Sequence, residues 1–92
     1  MEPQRKGIYA VRDLVADYIL SGLIMENTDA PAIRAFHDAL ANPQSMLAQH
    51  PKDYVLLDLG EINLDTGVII GATPIIIATG SSWLEQKERA EL

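Results

Sequence analysis

The sequence has no cysteine, only five aromatic residues and few basic residues. Small domains made for oxidising compartments usually carry disulfides, so the lack of cysteine favours an intracellular protein. With one Phe, one Trp and three Tyr, the core has to be built mainly from Ile, Leu, Val and Ala. The longest apolar stretch, residues 68–79, contains Pro74 and is shorter than the roughly 20 residues that a membrane-spanning helix needs. These absences predict a soluble protein without disulfides.

Basic residues are outnumbered by acidic ones. Thirteen Asp and Glu against seven Lys and Arg give a net charge of −6. Nucleic-acid binding draws much of its affinity from Lys and Arg that neutralise phosphates, so this balance argues against DNA binding through charge alone. Arg5, Lys6 and Arg12 cluster near the N-terminus and are the only candidates for a local basic patch.

The length of 92 residues is sufficient for one domain. No repeat, low-complexity segment or linker divides the sequence, which predicts a single domain over residues 1–92. Residues 1–6 are expected to form a flexible N-terminus, and residues 82–92 a C-terminal helix or tail.

One helix is clearly indicated at residues 29–41. Thr28 or Asp29 can cap its first N–H groups, and Pro31 fits the first turn, where the missing donor costs nothing. The apolar positions that follow have the spacing of one buried helical face, namely Ile33, Phe36, His37 and Leu40. A short helical turn is expected at 44–49, between Asn42-Pro43 and Pro51.

The remaining apolar runs predict strands. Residues 8–15 and 54–62 are strand-like. Residues 18–25 can be strand or helix, with strand preferred and Gly22 as a possible bulge. Turn-forming residues at 63–67 join 54–62 to returning strands at 68–70 and 74–78, and Ser82-Trp83-Leu84-Glu85 is a capping box that opens a final helix. The predicted fold class is α+β: a small antiparallel sheet of about four strands in the order β-β-α-β-β, with the main helix packed on one face and a short C-terminal helix.

The sequence contains patterns that resemble catalytic and metal-binding motifs, but none meets the requirements of its class. Asp65-Thr66-Gly67 has the letters of an aspartic-protease triplet, but it lies too late in the chain for the flaps that must follow, and a hairpin turn explains it better. His37 and His50 have no further ligands at zinc-site spacing, and the acidic residues Asp58, Glu61 and Asp65 do not match a calcium loop. We therefore expect no catalytic, cofactor or metal site, and no enzyme activity.

Two kinds of binding surface are open to the sequence. Single-stranded nucleic acid is bound by aromatic rings within a basic groove, and the candidate residues are Arg5, Lys6, Tyr9, Arg12, Tyr18 and Trp83. The competing interpretation places both tyrosines at the border of the sheet and docks Trp83. Self-association is the second kind. Pro74 marks an edge strand or a bulge, and if the strand is an edge, Ile75, Ile76 and Ile77 would be open to pairing between chains.

An ordered series of short motifs resembles the nonstructural protein family of gokushovirus-type microviruses, which are small phages with circular single-stranded DNA. The series consists of Ile8-Tyr9-Ala10-Val11-Arg12-Asp13, Ala32-Ile33-Arg34-Ala35-Phe36-His37-Asp38, Asn42-Pro43, His50-Pro51-Lys52-Asp53-Tyr54, Leu57, Leu59-Gly60-Glu61, Asp65-Thr66-Gly67 and Pro74. The family often has an aromatic Pro-Phe-Phe-like segment before the helix, where this sequence has Ile19-Leu20-Ser21-Gly22-Leu23-Ile24. A stacking role for that segment is therefore in doubt here.

The resemblance implies a non-virion protein made in the cytoplasm of the infected bacterium. It would act in single-stranded DNA genome synthesis or packaging, through contacts with replication or procapsid proteins and with weak single-stranded DNA binding at most. The alternative is a self-associating scaffolding or assembly module, and a homo-oligomer is expected in either case. A hydrolase remains only if folding brings a serine or carboxylate pair to His37 or His50.

Overall fold

Five strands and three helices are present in the computed structural model, which describes residues 4–20 and 22–91. In chain order they are β1 (Arg5–Asp13), β2 (Tyr18–Ile19), β3 (Ile24–Glu26), α1 (Asp29–Ala41), α2 (Met46–Gln49), a 3₁₀ turn (Pro51–Asp53), β4 (Tyr54–Asn63), β5 (Ile69–Thr79) and α3 (Gly80–Ala90). Positions 1–3 of the predicted flexible N-terminus, Ser21 and Leu92 lie outside the described residues. None of the helices in this part of the chain is long and apolar enough to cross a membrane.

The sheet is antiparallel throughout and is organised around β1 and β4. These strands pair along their whole length, from Arg5 opposite Asn63 to Asp13 opposite Tyr54. On the other edge of β1, β2 pairs with its C-terminal end and β3 with its N-terminal end. Beyond β4 lies β5, which is the outer strand on that side. The predicted α+β class with an antiparallel sheet is confirmed.

The predicted strand at 18–25 is split into β2 and β3. Gly22 between them has a positive φ of 93°, a backbone conformation that a regular strand does not accommodate. Leu20 still donates its backbone N–H to the carbonyl of Val11. The chain thus leaves the edge of β1 after Leu20 and returns to it at Ile24, which is why five strands are present and not four.

The first strand starts earlier and ends earlier than predicted. Arg5 and Lys6, expected to be flexible, pair with Asn63 and Ile62 at the end of β4. At the other end, the carboxylate of Asp13 accepts hydrogen bonds from the backbone N–H groups of the second and third residues after it. Asp side chains that bond in this way favour a turn, so β1 stops at residue 13 and not at 15.

All three helices contribute to one apolar cluster on a single face of the sheet. Its buried members are Tyr9, Ala32, Phe36, Leu40, Leu47, Tyr54 and Leu56, and Trp83 of α3 packs against them. In α1 the buried residues are Ala32, Phe36 and Leu40, four apart, whereas Ile33 and His37 are only half-buried. The helix bounds are as predicted, but its buried stripe is rotated toward Ala32, whose small side chain lets α1 approach the sheet closely.

The caps of two helices differ from the prediction. Thr28 occupies the N-cap position of α1 without making a side-chain cap, and Asp29 instead accepts a hydrogen bond from Tyr9. The last helix, α3, begins at Gly80 and not at Ser82, because the hydroxyl of Thr79 accepts the hydrogen bond from the Ser82 N–H. The Ser82–Glu85 box therefore lies inside the helix.

The start of α3 lies directly on the 3₁₀ turn. A Cβ added to Gly80 would overlap the carbonyl oxygen of Pro51 and lie 3.2 Å from that of Tyr54. We expect Gly80→Ala to destabilise the fold by about 1–3 kcal/mol, although alanine is the better helix former by about 1 kcal/mol. The loss would lower the thermal midpoint by about 4–8 °C per kcal/mol.

The matched control is Gly71→Ala. No atom lies within 4 Å of the Cβ position at Gly71, so this variant should stay within about 0.5 kcal/mol of the wild type. Calorimetric midpoints that are equal for the two variants would contradict the close contact at Gly80.

Candidate protein-contact surface

The three basic residues near the N-terminus do not form a common patch. Arg5 and Arg12 lie at opposite ends of β1, roughly 23 Å apart at about 3.3 Å per residue. Arg5 pairs with Glu61 at 3.0 Å, and Arg12 pairs with Asp17. Lys6 is adjacent to Arg5 in the strand and therefore points to the other face of the sheet. Both arginines are thus partly neutralised in place, and no continuous basic groove runs along β1.

The three candidate aromatic residues are also dispersed. Tyr9 is only 2% exposed and belongs to the core, so its ring face is closed to a nucleobase. Tyr18 is exposed in the short β2. Trp83 is half-buried on α3, with the ammonium group of Lys87 at 5.3 Å from its ring centroid. The interpretation of Trp83 as a docked side chain is supported by its packing against the core cluster.

An acidic cleft of about 390 Å³ lies beside Tyr9. Its walls include the charged residues Asp29, Asp58 and Glu61. The Tyr9 hydroxyl donates a hydrogen bond of 2.7 Å to Asp29 Oδ1. Burial, and then this hydrogen bond and the nearby negative charges, raise the pKa of the Tyr9 phenol far above its usual value. A cleft of this charge would repel a phosphate backbone.

The structure also locates the residues of the possible catalytic and metal-binding motifs. Thr66-Gly67 lies in the turn after β4, where Gly67 has a φ of 78° and donates its N–H to the Asn63 carbonyl at 2.7 Å. His37 lies next to Phe36, with ring centroids 6.1 Å apart, and His50 is exposed just before the 3₁₀ turn. Within residues 4–20 and 22–91, no three His, Asp or Glu side chains are grouped to hold a metal ion.

The strongest surface feature is the outer hairpin strand. Five large aliphatic side chains are exposed between residues 68 and 76; we call them the hairpin surface: Val68, Ile69, Ile70, Ile75 and Ile76. Ile69 is 63% exposed and Ile76 56%. Of the predicted self-association edge, Ile75 and Ile76 lie on this surface, whereas Ile77 is half-buried and packs against the core cluster.

Ile77 is turned inward because the ladder between β4 and β5 is irregular. Leu56 pairs with Ala78, but the next residue of β4, Leu57, pairs with Ile76. Ile77 is thus an additional residue on β5, and such bulges re-aim side chains. A second irregularity places Ala72, Thr73 and Pro74 opposite the single residue Leu59. The predicted edge position of Pro74 is confirmed, because β5 is the outer strand.

Charge is absent from this part of the chain. No Asp, Glu, Lys or Arg occurs from Thr66 to Leu84, although the protein as a whole carries a charge of −6. Edge strands are usually protected against pairing by charged side chains, by proline or by a covering element. On β5 the devices are Pro74 and the two irregularities of its ladder. Neither a charged side chain nor a further strand of the described part of the chain protects this edge.

A second group of buried apolar residues lies on the sheet face opposite the helices. Ile8, Ala10, Val55 and Leu57 are buried but do not belong to the cluster beneath the helices. Paired residues of neighbouring strands share a face, and Leu57 pairs with Ile76 of the hairpin surface. Ile76 therefore lies on this face, whereas its neighbour Ile75 points to the helical side, so the hairpin surface is divided between the two faces of the sheet.

The overall dimensions reflect the projecting hairpin. The radius of gyration is 14.4 Å, against about 12 Å expected for a compact domain of this length. The long axis measures 50 Å and the other two 27 and 23 Å. The half of β5 that begins at Ile69 extends past the helical layer, so its aliphatic side chains have no cover from their own chain.

The sequence reasoning missed Val68, Ile69 and Ile70 as surface residues. The uncharged run from Thr66 to Leu84 was visible, but an apolar run does not reveal whether the strand is covered.

A model of the family described as Phage ORF5 protein matches residues 6–83. The chain belongs to this family. No curated protein and no solved structure matches the sequence.

The match to the Phage ORF5 family begins in β1 and ends within α3. It therefore includes the hairpin surface and all of the described sheet except Arg5. The expectation of a phage protein is confirmed at this level, while the placement among gokushovirus-type microviruses stays a prediction.

The buried hydroxyl of Tyr9 generates a prediction about this fold. We expect Tyr9→Phe to reduce the free energy of unfolding at neutral pH by about 1–2 kcal/mol, because it removes a hydrogen bond to a charged acceptor. Asp29 is exposed and stays hydrated, which keeps the cost at the low end.

The same substitution should change the response to alkali. The pKa of Tyr9 is raised in the folded state, so folding holds the phenol proton more tightly. The stabilisation is complete below about pH 10 and is lost as the pH rises further. Urea unfolding from pH 8 to 11 should show a smaller alkaline loss for Tyr9→Phe than for the wild type or for the exposed control Tyr18→Phe. Parallel curves for all three proteins would contradict the assignment.

Proposed function

We propose that this phage protein is a non-enzymatic accessory factor in the synthesis or packaging of a single-stranded DNA genome. It acts in the cytoplasm of the infected bacterium, outside the virion, by contacting replication or procapsid proteins. The membership in the Phage ORF5 family supports the phage setting. The motif series from Ala32 to Pro74, which resembles the nonstructural protein of gokushovirus-type microviruses, supports the narrower role.

The hairpin surface is the observation that carries the proposal. Groups of exposed aliphatic side chains on the surface of a domain often mark sites of protein interaction. Here they lie on an edge strand, where both backbone hydrogen bonds and side-chain pockets can serve recognition by strand addition.

Direct DNA binding is secondary in this proposal. Arg5 and Arg12 each face an acidic partner, and Tyr9 is buried. Single-stranded DNA binding requires a basic channel with exposed rings, and an overall charge of −6 opposes it. A partner protein that itself binds the genome would bring this factor to the DNA.

A titration with labelled single-stranded DNA tests whether DNA binding is weaker than, and secondary to, protein binding. We expect fluorescence anisotropy at low salt to give a dissociation constant weaker than about 10⁻⁴ M, the weak limit of non-specific binding. Micromolar binding that weakens steeply with salt, and that is lost in Arg5→Glu/Arg12→Glu, would make DNA the primary partner and overturn the order.

A complementation experiment tests the hairpin surface itself. A phage that lacks this gene is supplied with the wild-type protein or with Ile69→Asp/Ile76→Asp, and packaged genomes are counted. Both isoleucines are more than half exposed, so the fold should persist while contact with the partner fails. We expect a loss of packaged genomes of about tenfold or more, since 1.4 kcal/mol of binding free energy corresponds to tenfold in affinity.

Val15→Asp is the matched control. Val15 is an exposed aliphatic residue in the turn after β1, 75% exposed, and receives the same charge. It should support wild-type packaging. Equal packaging by the hairpin variant and this control, with both proteins folded by circular dichroism, would refute the role of the hairpin surface.

A second candidate function is a self-associating assembly module. It is favoured by one specific observation, the open and uncharged edge of β5.

A further inference from the structure

We infer that β5 pairs antiparallel with β5 of a second copy of this chain, so that two five-stranded sheets join into one. This inference deepens the proposed function and rests on its premise that the hairpin surface is a binding surface. It names the occupant of the strand edge.

The first argument is electrostatic. Two copies that each carry −6 repel one another over most of their surfaces. The repulsion is weakest where charge is absent, and the segment from Thr66 to Leu84 has no charged side chain. A second copy can therefore approach along β5 at a lower electrostatic cost than along β1, β3 or β4, which all contain acidic residues; β2 is also uncharged but has only two residues.

The second argument concerns the backbone. An outer strand has a row of N–H and C=O groups that no neighbour in its own sheet uses. The opposite edge of the sheet is different, because β2 and β3 are short strands of two and three residues separated by Gly22. β5 has 11 residues and is the only long edge in the described part of the chain. A two-fold symmetric contact requires a self-complementary surface, which one long uncharged strand provides.

The third argument is the register. The central residue of β5, Ile69–Thr79, is Pro74. Full overlap of two antiparallel copies places the two-fold axis near Pro74, so the two prolines face each other where neither needs an N–H. Residues 75–79 of each copy then lie beside residues 69–73 of the other. The irregular stretch around Pro74 then lies on the two-fold axis. The ladder between the two copies is therefore interrupted at one place, its centre.

The fourth argument is the shape of the protomer. Residues 69–76 of β5 are exposed, and the protomer is elongated along an axis of 50 Å. Antiparallel pairing lays the projecting half of each β5 beside the half of the other β5 that leads into α3. The tip of each hairpin then lies next to the end of β5 that precedes α3 in the second copy. The side chains on the two sheet faces remain available to other phage proteins, so self-pairing and partner binding are compatible.

Light scattering on the wild-type protein is the first test. The mass should rise from that of a 10.1 kDa monomer to its dimer over about a hundredfold range of concentration. Thr73→Lys places a charge on the exposed β5 edge and should raise the dissociation constant by about tenfold or more. The control Val15→Lys should leave it unchanged. A wild-type protein that stays monomeric at all concentrations, or equal dimerisation by the two lysine variants, would overturn the inference.

Cysteine cross-linking then tests the direction of pairing. The chain has no cysteine, so each introduced thiol reports on one position. Single cysteines replace Ile70, Gly71, Thr73, Ile75 and Ile76 in turn, and Met25→Cys on β3 serves as the control on the opposite edge. Disulfides need Cα atoms within about 7 Å, so the yield should peak next to Pro74 and fall on both sides.

The alternative results are distinct. Equal yields along β5 would indicate parallel pairing, and yields no higher than that of Met25→Cys would indicate that β5 is not the contact; either result refutes antiparallel pairing. If the protein is a strict monomer but Ile69→Asp/Ile76→Asp still abolishes packaging, the dimer fails and the proposed function stands. If the dimer forms but that variant packages normally, the proposed function fails and the dimer stands.

Discussion

The pairing of β1 with β4 is the constraint on which the rest of the structure depends. It joins residues about fifty positions apart, from Arg5 with Asn63 to Asp13 with Tyr54, and the loop that closes it contains α1 and α2. Tyr9 of β1 and Leu56 of β4 then supply the floor on which Phe36 packs. Because β4 is held centrally by β1, its other edge is left to β5, and the hairpin has no further strand to cover it.

Much of the fold follows from local chemistry that the sequence displays. The helix at 29–41 is predicted to the residue because Pro31 fits only the first turn and Asn42-Pro43 ends it. The start of α3 was misplaced because two hydroxyl residues, Thr79 and Ser82, can each cap a helix, and only the contact of Gly80 with Pro51 decides between them. Gly22 is predicted as a possible bulge, but the apolar run around it does not reveal that the segment divides into two separate strands.

The candidate site was less predictable, and for a physical reason. The basic residues looked like a patch because they are close in sequence, but a strand separates Arg5 and Arg12 by its full length and brings Glu61, 56 positions away, to the first of them. Tyr9 was assigned to a border because aromatic residues at strand positions can face either side, and its burial depends on where α1 lands. Exposure of Ile69 and Ile70 depends on the length of the helical layer, which no local pattern encodes.

The distribution of charge links the fold to its partners. An acidic protein remains soluble and monomeric by repulsion, yet here the repulsion is withdrawn from one continuous segment that forms an edge strand. Random placement of 20 charged residues in 92 would rarely leave 19 consecutive positions free of them. The same segment contains the exposed aliphatic side chains of the hairpin surface. Exposed apolar area is therefore concentrated where the electrostatic repulsion between two copies is weakest. The proposed pairing along β5 and the charge on β1, β3 and β4 are thus complementary consequences of one arrangement of charge along the sequence.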